Sequence, residues 1–369
     1  MQFPVILGPM KTLAYATTAP QNELELVSYQ LRDPRPDEVL VRVEHCGLCH
    51  SDLSMLNNDW GMTEYPFVGG HEVVGKVEKL GSEVKTLEVG QTVGVGWMSH
   101  SCKECRQCLG GHHNRCGEQV GTIIGRPGGF ASHILAQNLW TVPIPSALDP
   151  KKAGPLFCGG ITVFNPFLSN EITPIDRIGV IGIGGLGHLA LQFGRAWGCE
   201  VTAFSSSPEK EGEARSLGAH EFVNSKEPGN LESLKGRFRM LLVTVNVELD
   251  WQSYIELLAP GGVLHFVGAA PPVELQVFPM IAGEKSFKGS PLGSPAGVLE
   301  MLDFCARHQI EPTVESFPMS RLSDAFKHLE EGKARYRVVL ESDFSQVDES
   351  KARRIQVSVS APEKVAAGV

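Results

Sequence analysis

The sequence predicts an α/β protein of two domains, one mainly β and the other built on a doubly wound parallel sheet. Its 369 residues are too many for one ordinary domain. Short β-branched runs, broken by glycine and proline, fill about the first 150 residues. Beyond them, buried strand runs alternate with helical periodicity, a pattern typical of βαβ units.

Individual elements follow from these patterns. The β-branched runs of the first part predict strands at 38–43 and 73–77. In the second part, alternating runs predict strands at 177–181, 200–204, 240–245 and 262–267, with helices at 186–197 and 251–258. The parallel sheet should continue to about residue 290. A helix at 298–308 and a strand at 335–341 come after it.

Composition excludes several classes of function. The net charge is −9, from 33 basic and 42 acidic residues, and no block of Lys and Arg is dense enough to follow a nucleic acid backbone. No stretch approaches the roughly 20 apolar residues that a membrane span needs. The apolar run Phe3–Leu7 lacks the basic flank and cleavage site of an export signal. We therefore expect a cytoplasmic protein without a nucleic acid or membrane partner.

Four cysteines lie close together in one loop rich in glycine and basic residues. Cys102, Cys105, Cys108 and Cys116 have the spacing C-x2-C-x2-C-x7-C. Such a short loop, without large apolar side chains, cannot form its own core, whereas one tetrahedral zinc ion can replace that packing through four thiolates. The spacing predicts a structural zinc site. Disulfides and a four-thiolate iron–sulfur cluster are the alternatives.

A second set of metal-binding side chains is more widely spaced. Cys49 and His71 lie in the β-rich part, and Cys158 lies where that part ends. Taken singly, each has an ordinary structural explanation, because a buried cysteine is often a small apolar residue and a lone histidine is often structural. Together, two thiolates and one imidazole leave a fourth zinc position open. An ion held there would act as a Lewis acid in hydride transfer.

A glycine-rich turn opens the βαβ unit. Gly182-Ile183-Gly184-Gly185-Leu186-Gly187 follows a predicted strand and begins a predicted helix, which is the context that gives a G-x-G-x-x-G pattern its meaning. Small residues let the backbone approach a diphosphate, and the helix N-terminus offers free N–H groups. The motif predicts dinucleotide binding, and a simple glycine turn is the alternative.

The end of the second strand indicates which dinucleotide binds. NAD-binding proteins commonly have an acidic residue there for the adenosine ribose. This chain has Ser205-Ser206-Ser207, followed by Lys210. Hydroxyl groups and an ammonium group can hold a 2′-phosphate that a carboxylate would repel, so the sequence favours NADP(H). The serines could also only cap the helix predicted at 209–217.

These residues together resemble the zinc-dependent medium-chain dehydrogenase/reductase superfamily, and within it the cinnamyl alcohol dehydrogenase-like branch, which includes bacterial NADP-dependent aldehyde reductases. The resemblance extends to about residue 342. Further stretches similar to signatures of the branch are 58–62, 94–97, 161–164 and 335–339.

The resemblance implies roles for the second set. Cys49, His71 and Cys158 would bind a catalytic zinc, so the chain would hold two zinc ions, one catalytic and one structural. Glu72 would be an occasional ligand or a nearby carboxylate that tunes the site. Asp52 would orient His71. Ser51 would carry the substrate proton.

Other implied positions concern the cofactor and the proton route. His50 would meet the diphosphate. The remaining positions assigned to the cofactor groove are Thr162, Thr244, Gly268, Ser290, Pro291 and Leu292. One departure is Ser54, which stands where many relatives have a histidine that ends the proton relay. Because serine is no base near neutral pH, we expect the relay to end in water or another group.

The implied architecture is a GroES-like β-rich catalytic domain with a Rossmann domain inserted into it. The expected limits are 1–153 and 291–342 for the catalytic domain, 154–290 for the Rossmann domain, and 343–369 for a disordered tail. The active site would lie in the cleft between the domains. Trp60 and Trp97 would wall the substrate channel, unless they are ordinary core aromatics.

The predicted function is reversible hydride transfer between NADP(H) and a primary alcohol/aldehyde pair, with aromatic or medium-chain aldehydes favoured. Relatives also suggest a homodimer joined through the Rossmann sheets. One alternative is a polyol or secondary-alcohol dehydrogenase on the same scaffold. The other is a non-catalytic, zinc-stapled dinucleotide-binding redox sensor.

Overall fold

The chain divides into a β-rich unit and a unit built on a parallel sheet, as a computed structural model describes for residues 9–357. Within those residues the first unit comprises 9–158, 294–303 and 313–357, and the second comprises Gly159–Gly293 and Phe304–Pro312. The predicted α/β class is therefore confirmed. The chain changes unit at 158 and 293 instead of the predicted 153 and 290. Residues 304–312 also belong to the second unit, because Phe304 packs on Phe164 and Trp197.

The strands, in chain order, are β1 Met10–Ala16, β2 Glu25–Leu31, β3 Glu38–Leu48, β4 Glu72–Leu80, β5 Thr92–Val95, β6 Met98–His100, β7 Val120–Gly121, β8 His133–Gln137, β9 Val142–Pro143, β10 Arg177–Ile181, β11 Glu200–Ser205, β12 Glu221–Asn224, β13 Phe238–Val243, β14 Leu258–Phe266, β15 Ser286–Gly289, β16 Val314–Pro318, β17 Arg337–Glu341 and β18 Arg353–Arg354. The α-helices are α1 His50–Asn57, α2 Arg106–Leu109, α3 Pro150–Ala153, α4 Gly159–Ser169, α5 Gly187–Trp197, α6 Glu211–Ser216, α7 Pro228–Glu232, α8 Trp251–Leu257, α9 Val277–Ala282, α10 Pro295–His308 and α11 Leu322–Glu330. Short 3₁₀ turns connect several of them.

Strand β3 organises the first unit. It pairs antiparallel with β4, β8 and β17, inside a sheet of order β16-β17-β3-β4-β5-β9. Val39, Val41 and Val43 face the core and are buried, which fits the β-branched run predicted to form this strand. The strand ends next to Cys49, so its packing fixes the start of the segment that carries the second set of metal-binding residues.

The second unit contains one parallel sheet of order β12-β11-β10-β13-β14-β15. Its central strands are apolar throughout, as Ile178 and Val180 in β10 illustrate, because helices cover both faces of such sheets. The chain crosses from β12 back over β10 to β13, so the strand order reverses between β10 and β13. Ligands of open α/β sheets bind at the carboxyl end of such a switch point.

The C-terminal segment differs from the prediction of a disordered tail beginning at 343. Phe344 is buried and stacks on Tyr15 with ring centroids 5.7 Å apart. Arg353 and Arg354 form β18 alongside β2, and Arg353 Nε lies 2.8 Å from Glu25 Oε2. The prediction is wrong for 343–357, because an open strand edge supplies hydrogen bonds that a polar segment can use. Residues 358–369, and the apolar run Phe3–Leu7, lie outside the described residues.

Among the described helices, none combines the length and the apolar character needed to cross a lipid bilayer.

Candidate metal and dinucleotide sites

The four cysteines of the loop converge as their spacing predicted. The Sγ atoms of Cys102, Cys105, Cys108 and Cys116 all lie within 4.8 Å of one another. Cys102 Sγ is 3.5 Å from Cys116 Sγ and 3.9 Å from Cys108 Sγ. All four are free thiols. The edges are close to the roughly 3.8 Å between two sulfurs of a zinc tetrahedron with Zn–S of about 2.3 Å, so the donor set fits one zinc ion.

Backbone amides direct the thiols inwards. The N–H of Cys105 donates to Cys102 Sγ at 3.3 Å, and the N–H of Glu118 donates to Cys116 Sγ at 3.4 Å. Backbone hydrogen bonding at Cys108 lowers the pKa of Cys105 to about 7, whereas burial raises the pKa of Cys108 to about 12. Amide donors of this kind stabilise thiolates, the form that binds metal.

The second set also converges, and it gains a carboxylate. Ligand atoms of Cys49, His71, Glu72 and Cys158 lie within 4.8 Å of one another. His71 Nε2 is 3.3 Å from Cys158 Sγ. Cys49 precedes α1, His71 and Glu72 lie at the start of β4, and Cys158 precedes α4. Three separate segments of the first unit therefore meet at one point, where His71 and Glu72 are buried and the two cysteines are half-buried.

Asp52 holds this arrangement together. Its side chain is fully buried, and Oδ2 accepts from the N–H of Cys49 at 3.0 Å. Oδ1 accepts from the N–H of Gly70 at 2.8 Å and lies 3.0 Å from His71 Nδ1. A carboxylate at this distance fixes the Nδ1–H tautomer, which turns the lone pair of Nε2 towards the two thiols. The structure thus places Asp52 where an orienting residue would stand.

Glycines give the carboxylate and the histidine their space. A Cβ on Gly47 would fall 1.9 Å from Glu72 Oε2, so no larger residue fits beside that side chain. Gly70 has φ of +96°, and a Cβ there would lie 2.6 Å from the backbone nitrogen of Phe130. Only glycine combines this backbone angle with so close an approach.

Glu72 carries an ion pair that the sequence analysis did not identify. Its Oε1 accepts from Nη2 of Arg337, and both side chains are buried. The other oxygen, Oε2, has no hydrogen-bond partner among the described residues. Burial raises the pKa of Glu72 to about 7, and the charge of Arg337 opposes that rise. The available signal was a cation directly before the apolar strand residues Val338 and Val339, in a motif that the family resemblance included.

The two thiols shift each other's pKa in opposite directions. A hydrogen bond from Cys158 lowers the pKa of Cys49 well below its usual value, while the same interaction, with burial, raises the pKa of Cys158 well above it. At His71, burial opposes the charged form, but Asp52 and Cys49 raise the pKa. Two sulfurs, one imidazole nitrogen and an oxygen without a described hydrogen-bond partner are donors that suit a single zinc ion.

Two tryptophans stand beside His71. The ring of Trp97 lies edge-on to the imidazole at 4.7 Å between centroids, and Trp60 lies edge-on to Trp97 at 6.0 Å. Trp60 is 41% exposed, so it is no ordinary core residue. Ser51 and Ser54 lie on α1, half-buried, and His50 is the exposed first residue of that helix.

The glycine-rich turn has the geometry of a phosphate cradle. Gly182 has φ of +93°, and a Cβ on Gly187 would lie 2.0 Å from the carbonyl oxygen of Gly182. A Cβ on Gly184 would meet nothing within 4 Å, so the space above that residue is open. Gly185 and Leu186 lead into α5, whose first N–H groups face the same turn. Diphosphate oxygens fit this donor set.

The end of β11 carries hydroxyl and ammonium groups, with no carboxylate between Ser205 and Ser207. Ser205 Oγ accepts from the N–H of Ser207 at 3.1 Å, and Ser206 is exposed. Lys210 Nζ donates to the carbonyl oxygen of Ile183 at 2.9 Å, which links this segment to the glycine-rich turn. Its ammonium group therefore lies between the strand end and the turn.

The other predicted cofactor residues of the second unit lie either at the carboxyl ends of the strands or on α4. Thr244 follows β13 and its hydroxyl donates to the carbonyl oxygens of Ile181 and Gly182 at 2.9 and 3.0 Å. Gly268 follows β14, and residues 290–292 follow β15. Because parallel strands end at one edge, these positions lie along the same edge as the glycine-rich turn. Thr162 lies half-buried on α4.

Comparison with known proteins agrees with this fold and these sites. Residues 35–146 match the family described as alcohol dehydrogenase GroES-like domain, and residues 185–307 match the family described as zinc-binding dehydrogenase. The chain is 49% identical over 328 residues to aldehyde reductase AdhA of Synechocystis, covering 89% of this chain and 98% of that protein.

Solved structures are similar along most of the chain. Cinnamyl alcohol dehydrogenase SbCAD4 from Sorghum bicolor superposes with a TM-score of 0.85 at 34% identity, covering 90% of this chain and 98% of the other. The cinnamyl alcohol dehydrogenase of Helicobacter pylori, solved with NADP(H), gives 0.82 at 28% identity, covering 90% and 98%.

A GroES-like unit, a Rossmann-type parallel sheet and two clusters of metal-binding residues define an oxidoreductase of the zinc-binding dehydrogenase type. The chain belongs to the zinc-dependent medium-chain dehydrogenase/reductase family.

Replacing one thiol of the loop tests its role. We expect Cys116→Ser to lower the zinc content by one ion per chain, because three thiolates hold the ion too weakly. The free energy of unfolding should fall by roughly 3 kcal/mol or more. Zinc per chain is measured by elemental analysis and stability by thermal unfolding. Cys199→Ser is the matched control, since Cys199 is buried outside both clusters. A Cys116→Ser protein that retains both ions would contradict the assignment.

Proposed function

We propose that this enzyme transfers hydride reversibly between NADP(H) and a primary alcohol/aldehyde pair, with aromatic or medium-chain aldehydes as its substrates. The observation that carries the proposal is the cluster of Cys49, His71 and Cys158, held by Asp52 and lined on one side by Trp97. Two sulfurs and one nitrogen leave one zinc position for an oxygen ligand, which Glu72 would occupy only when substrate does not, and an exchangeable position of this kind is what catalytic sites require and structural sites lack.

The residues of the cluster have separate tasks in this proposal. A zinc ion held by Cys49, His71 and Cys158 supplies Lewis acidity that polarises the substrate carbonyl. Asp52 accepts from Nδ1–H of His71 and so orients the ring with Nε2 towards the sulfur ligands. Arg337 offsets the charge of Glu72, which lies beside the two thiolate ligands.

The proton required for aldehyde reduction comes from the helix that follows Cys49. Ser51 lies two residues beyond that ligand on α1, where its hydroxyl can pass a proton to the product oxygen. Ser54, one turn further, has no basic group. The proton is then replaced through water or another group, because no histidine stands at that position.

The substrate class follows from the aromatic pair. Trp60 and Trp97 present flat apolar surfaces next to His71, and they favour an aromatic or extended apolar group over a chain of hydroxyl groups. AdhA of Synechocystis, which is named an aldehyde reductase, is the relative with 49% identity. A polyol or secondary-alcohol substrate is the competing outcome of the test below.

NADPH supplies the hydride in the direction of reduction. Support for NADP(H) over NAD(H) comes from the end of β11, where Ser206 and Lys210 offer a hydroxyl and an ammonium group to a 2′-phosphate. The Helicobacter pylori relative was solved with NADP(H). We also propose a cytoplasmic location, because the nine free cysteines and their clustered thiolates suit a reducing compartment.

A substrate panel with metal analysis tests the whole proposal. Cinnamaldehyde, benzaldehyde, hexanal, a simple ketone and a ketose are each offered with NADPH or NADH. The rate of coenzyme oxidation is measured for every pair. We expect the aldehydes to be reduced fastest with NADPH by protein containing zinc at both clusters. Preference for the ketose would favour the polyol alternative, and zinc-loaded protein without turnover would favour the sensor.

Placing a carboxylate at the end of β11 tests the coenzyme assignment. We expect Ser205→Asp to lower the NADPH/NADH ratio of kcat/KM by about ten- to a hundredfold, because the new charge repels the 2′-phosphate and can bind a ribose hydroxyl. Steady-state kinetics with each coenzyme measure the ratio. Ser216→Asp adds the same charge at an exposed site on α6 and should leave the ratio unchanged. An unchanged ratio in Ser205→Asp would reject this pocket.

We further propose that the enzyme is a homodimer joined through the β15 edge of the parallel sheet. β15 ends the strand order, and next to it α9 exposes Val277, Phe278 and Ile281, with Phe278 78% exposed. Phe287 on β15 is also exposed. An apolar patch beside an open strand edge is costly in water and is relieved when a second copy covers both.

A charge in this patch should separate the subunits. We expect Phe278→Asp to raise the dimer dissociation constant by roughly a hundredfold, as for an aromatic residue central to an interface. Size-exclusion chromatography with light scattering measures the mass as a function of concentration. Ile175→Asp is the matched control, because Ile175 is 93% exposed at a separate site. A Phe278→Asp protein with the mass of the unaltered protein would place the interface elsewhere.

A further inference from the structure

A chain of polar side chains links the end of α4, strand β14 and the end of β15 in the parallel-sheet unit. Asn170 follows α4, His265 lies on β14, and Lys288 and Ser290 lie on and just beyond β15. His265 is fully buried and Asn170 nearly so. Burying an imidazole in the middle of a sheet costs free energy that an apolar residue would avoid, so its hydrogen bonds require an explanation.

The direction of each hydrogen bond follows from groups that can only donate or only accept. Lys288 Nζ is a donor and lies 2.9 Å from Asn170 Oδ1, which identifies that atom as the oxygen. Asn170 Nδ2 then donates to the carbonyl oxygen of Pro166 at 2.7 Å and to His265 Nδ1 at 2.8 Å. Because Nδ1 accepts, the imidazole proton must be on Nε2.

The imidazole therefore donates outwards. His265 Nε2–H lies 2.8 Å from Ser290 Oγ, so the serine oxygen accepts. The O–H of Ser290 is left to donate, and no described residue takes it as an acceptor in the structure. Burial, assisted by the charge of Lys288, lowers the pKa of His265 to about 4, so this pattern persists at neutral pH.

The position of Ser290 indicates what its O–H meets. The strand order places β11 on one side of β10 and β13, β14 and β15 on the other. The diphosphate cradle follows β10, and the proposed 2′-phosphate pocket lies at the end of β11. The adenosine half of a bound dinucleotide thus extends towards β11, and its nicotinamide half must extend past β13 and β14 towards Ser290.

We propose that His265 is a positioning residue: with Asn170 and Lys288 behind it, it holds the Ser290 hydroxyl as a hydrogen-bond donor to an oxygen on the nicotinamide half of the coenzyme. The inference rests on the proposed dinucleotide site. It assigns His265 and Asn170 to coenzyme binding, although neither lies in a nucleotide-binding motif and both are buried. An acceptor oxygen on the nicotinamide gains this bond, and the adenosine half gains nothing.

Comparing the binding of two ligands distinguishes a positioning role of His265 from a purely structural role. NADPH contains both halves, whereas adenosine 2′,5′-bisphosphate contains only the adenosine half. We expect Ser290→Ala and His265→Leu each to weaken NADPH binding about three- to tenfold, the usual value of one hydrogen bond, and to leave binding of the bisphosphate unchanged. Coenzyme fluorescence and calorimetry measure the two dissociation constants, and thermal unfolding reports stability.

A double variant and a conservative variant complete the test. If His265 acts through Ser290, the double variant His265→Leu/Ser290→Ala should bind NADPH no more weakly than either single variant. His265→Gln keeps an amide N–H near the position of Nε2 and should bind NADPH within about twofold of the unaltered enzyme. If His265→Leu does not fold, Ser290→Ala and His265→Gln still decide the question.

The overturning results are specific. Equal weakening of NADPH and of the bisphosphate, or effects of the two single variants that multiply in the double variant, would make His265 structural only. Unaltered enzyme that binds NADH and not the bisphosphate would instead reject the NADP(H) proposal. In that case the same variants, measured with NADH, still test the contact with the nicotinamide half.

Discussion

The candidate catalytic centre depends on one buried carboxylate. Asp52 accepts hydrogen bonds from the backbone at Cys49 and Gly70 and from the ring of His71, so a single side chain fixes a ligand segment, a glycine turn and an imidazole tautomer. A carboxylate without these three partners would be costly to bury. The same bonds that make its burial tolerable therefore set the geometry of the residues that suit a metal.

Two groups of charged side chains surround that centre, and each has its own charge partner. The thiols of Cys49 and Cys158 shift each other's pKa in opposite directions, and the buried ion pair Glu72–Arg337 lies beside them. With a divalent cation bound by the thiolates, Arg337 would still offset the charge of Glu72. The site can therefore hold a divalent cation while Glu72 remains paired with Arg337. The loop of four cysteines is different in kind, because four sulfurs leave no open position.

The sequence predicted structure best where a short local motif is compatible with few arrangements. Four cysteines at short spacing and a glycine-rich turn after a strand admit few other structures, and both were found as predicted. The grouping of Cys49, His71 and Cys158 rested on their chemistry as zinc donors and on family resemblance, because residues 87 positions apart, as His71 and Cys158 are, carry no local signal of contact. Arg337 and the Asn170–His265 network were missed for the same reason. Their partners are set by tertiary packing, which periodicity does not encode.

For the charged segment after 343, the sequence predicted disorder where the structure has ordered contacts. Its composition resembles that of a disordered tail, yet Phe344 packs on Tyr15 and β18 completes a sheet with β2. Composition measures how much apolar surface a segment can bury alone, and it does not register an open strand edge supplied elsewhere.

Strand β17 pairs with β3, and its Arg337 joins Glu72 across 265 positions of the chain. During synthesis the N-terminal part of the β-rich unit emerges first, followed by the whole parallel-sheet unit, and only then by β17 and β18. Synthesis proceeds at about 5–20 residues per second, so many seconds pass between the synthesis of β3 and that of β17. During that time the edge of β3 that pairs with β17 is unpaired, and Glu72 lacks Arg337. The β-rich unit can therefore be completed only after the parallel-sheet unit has been synthesised, even though most residues of the β-rich unit are made earlier.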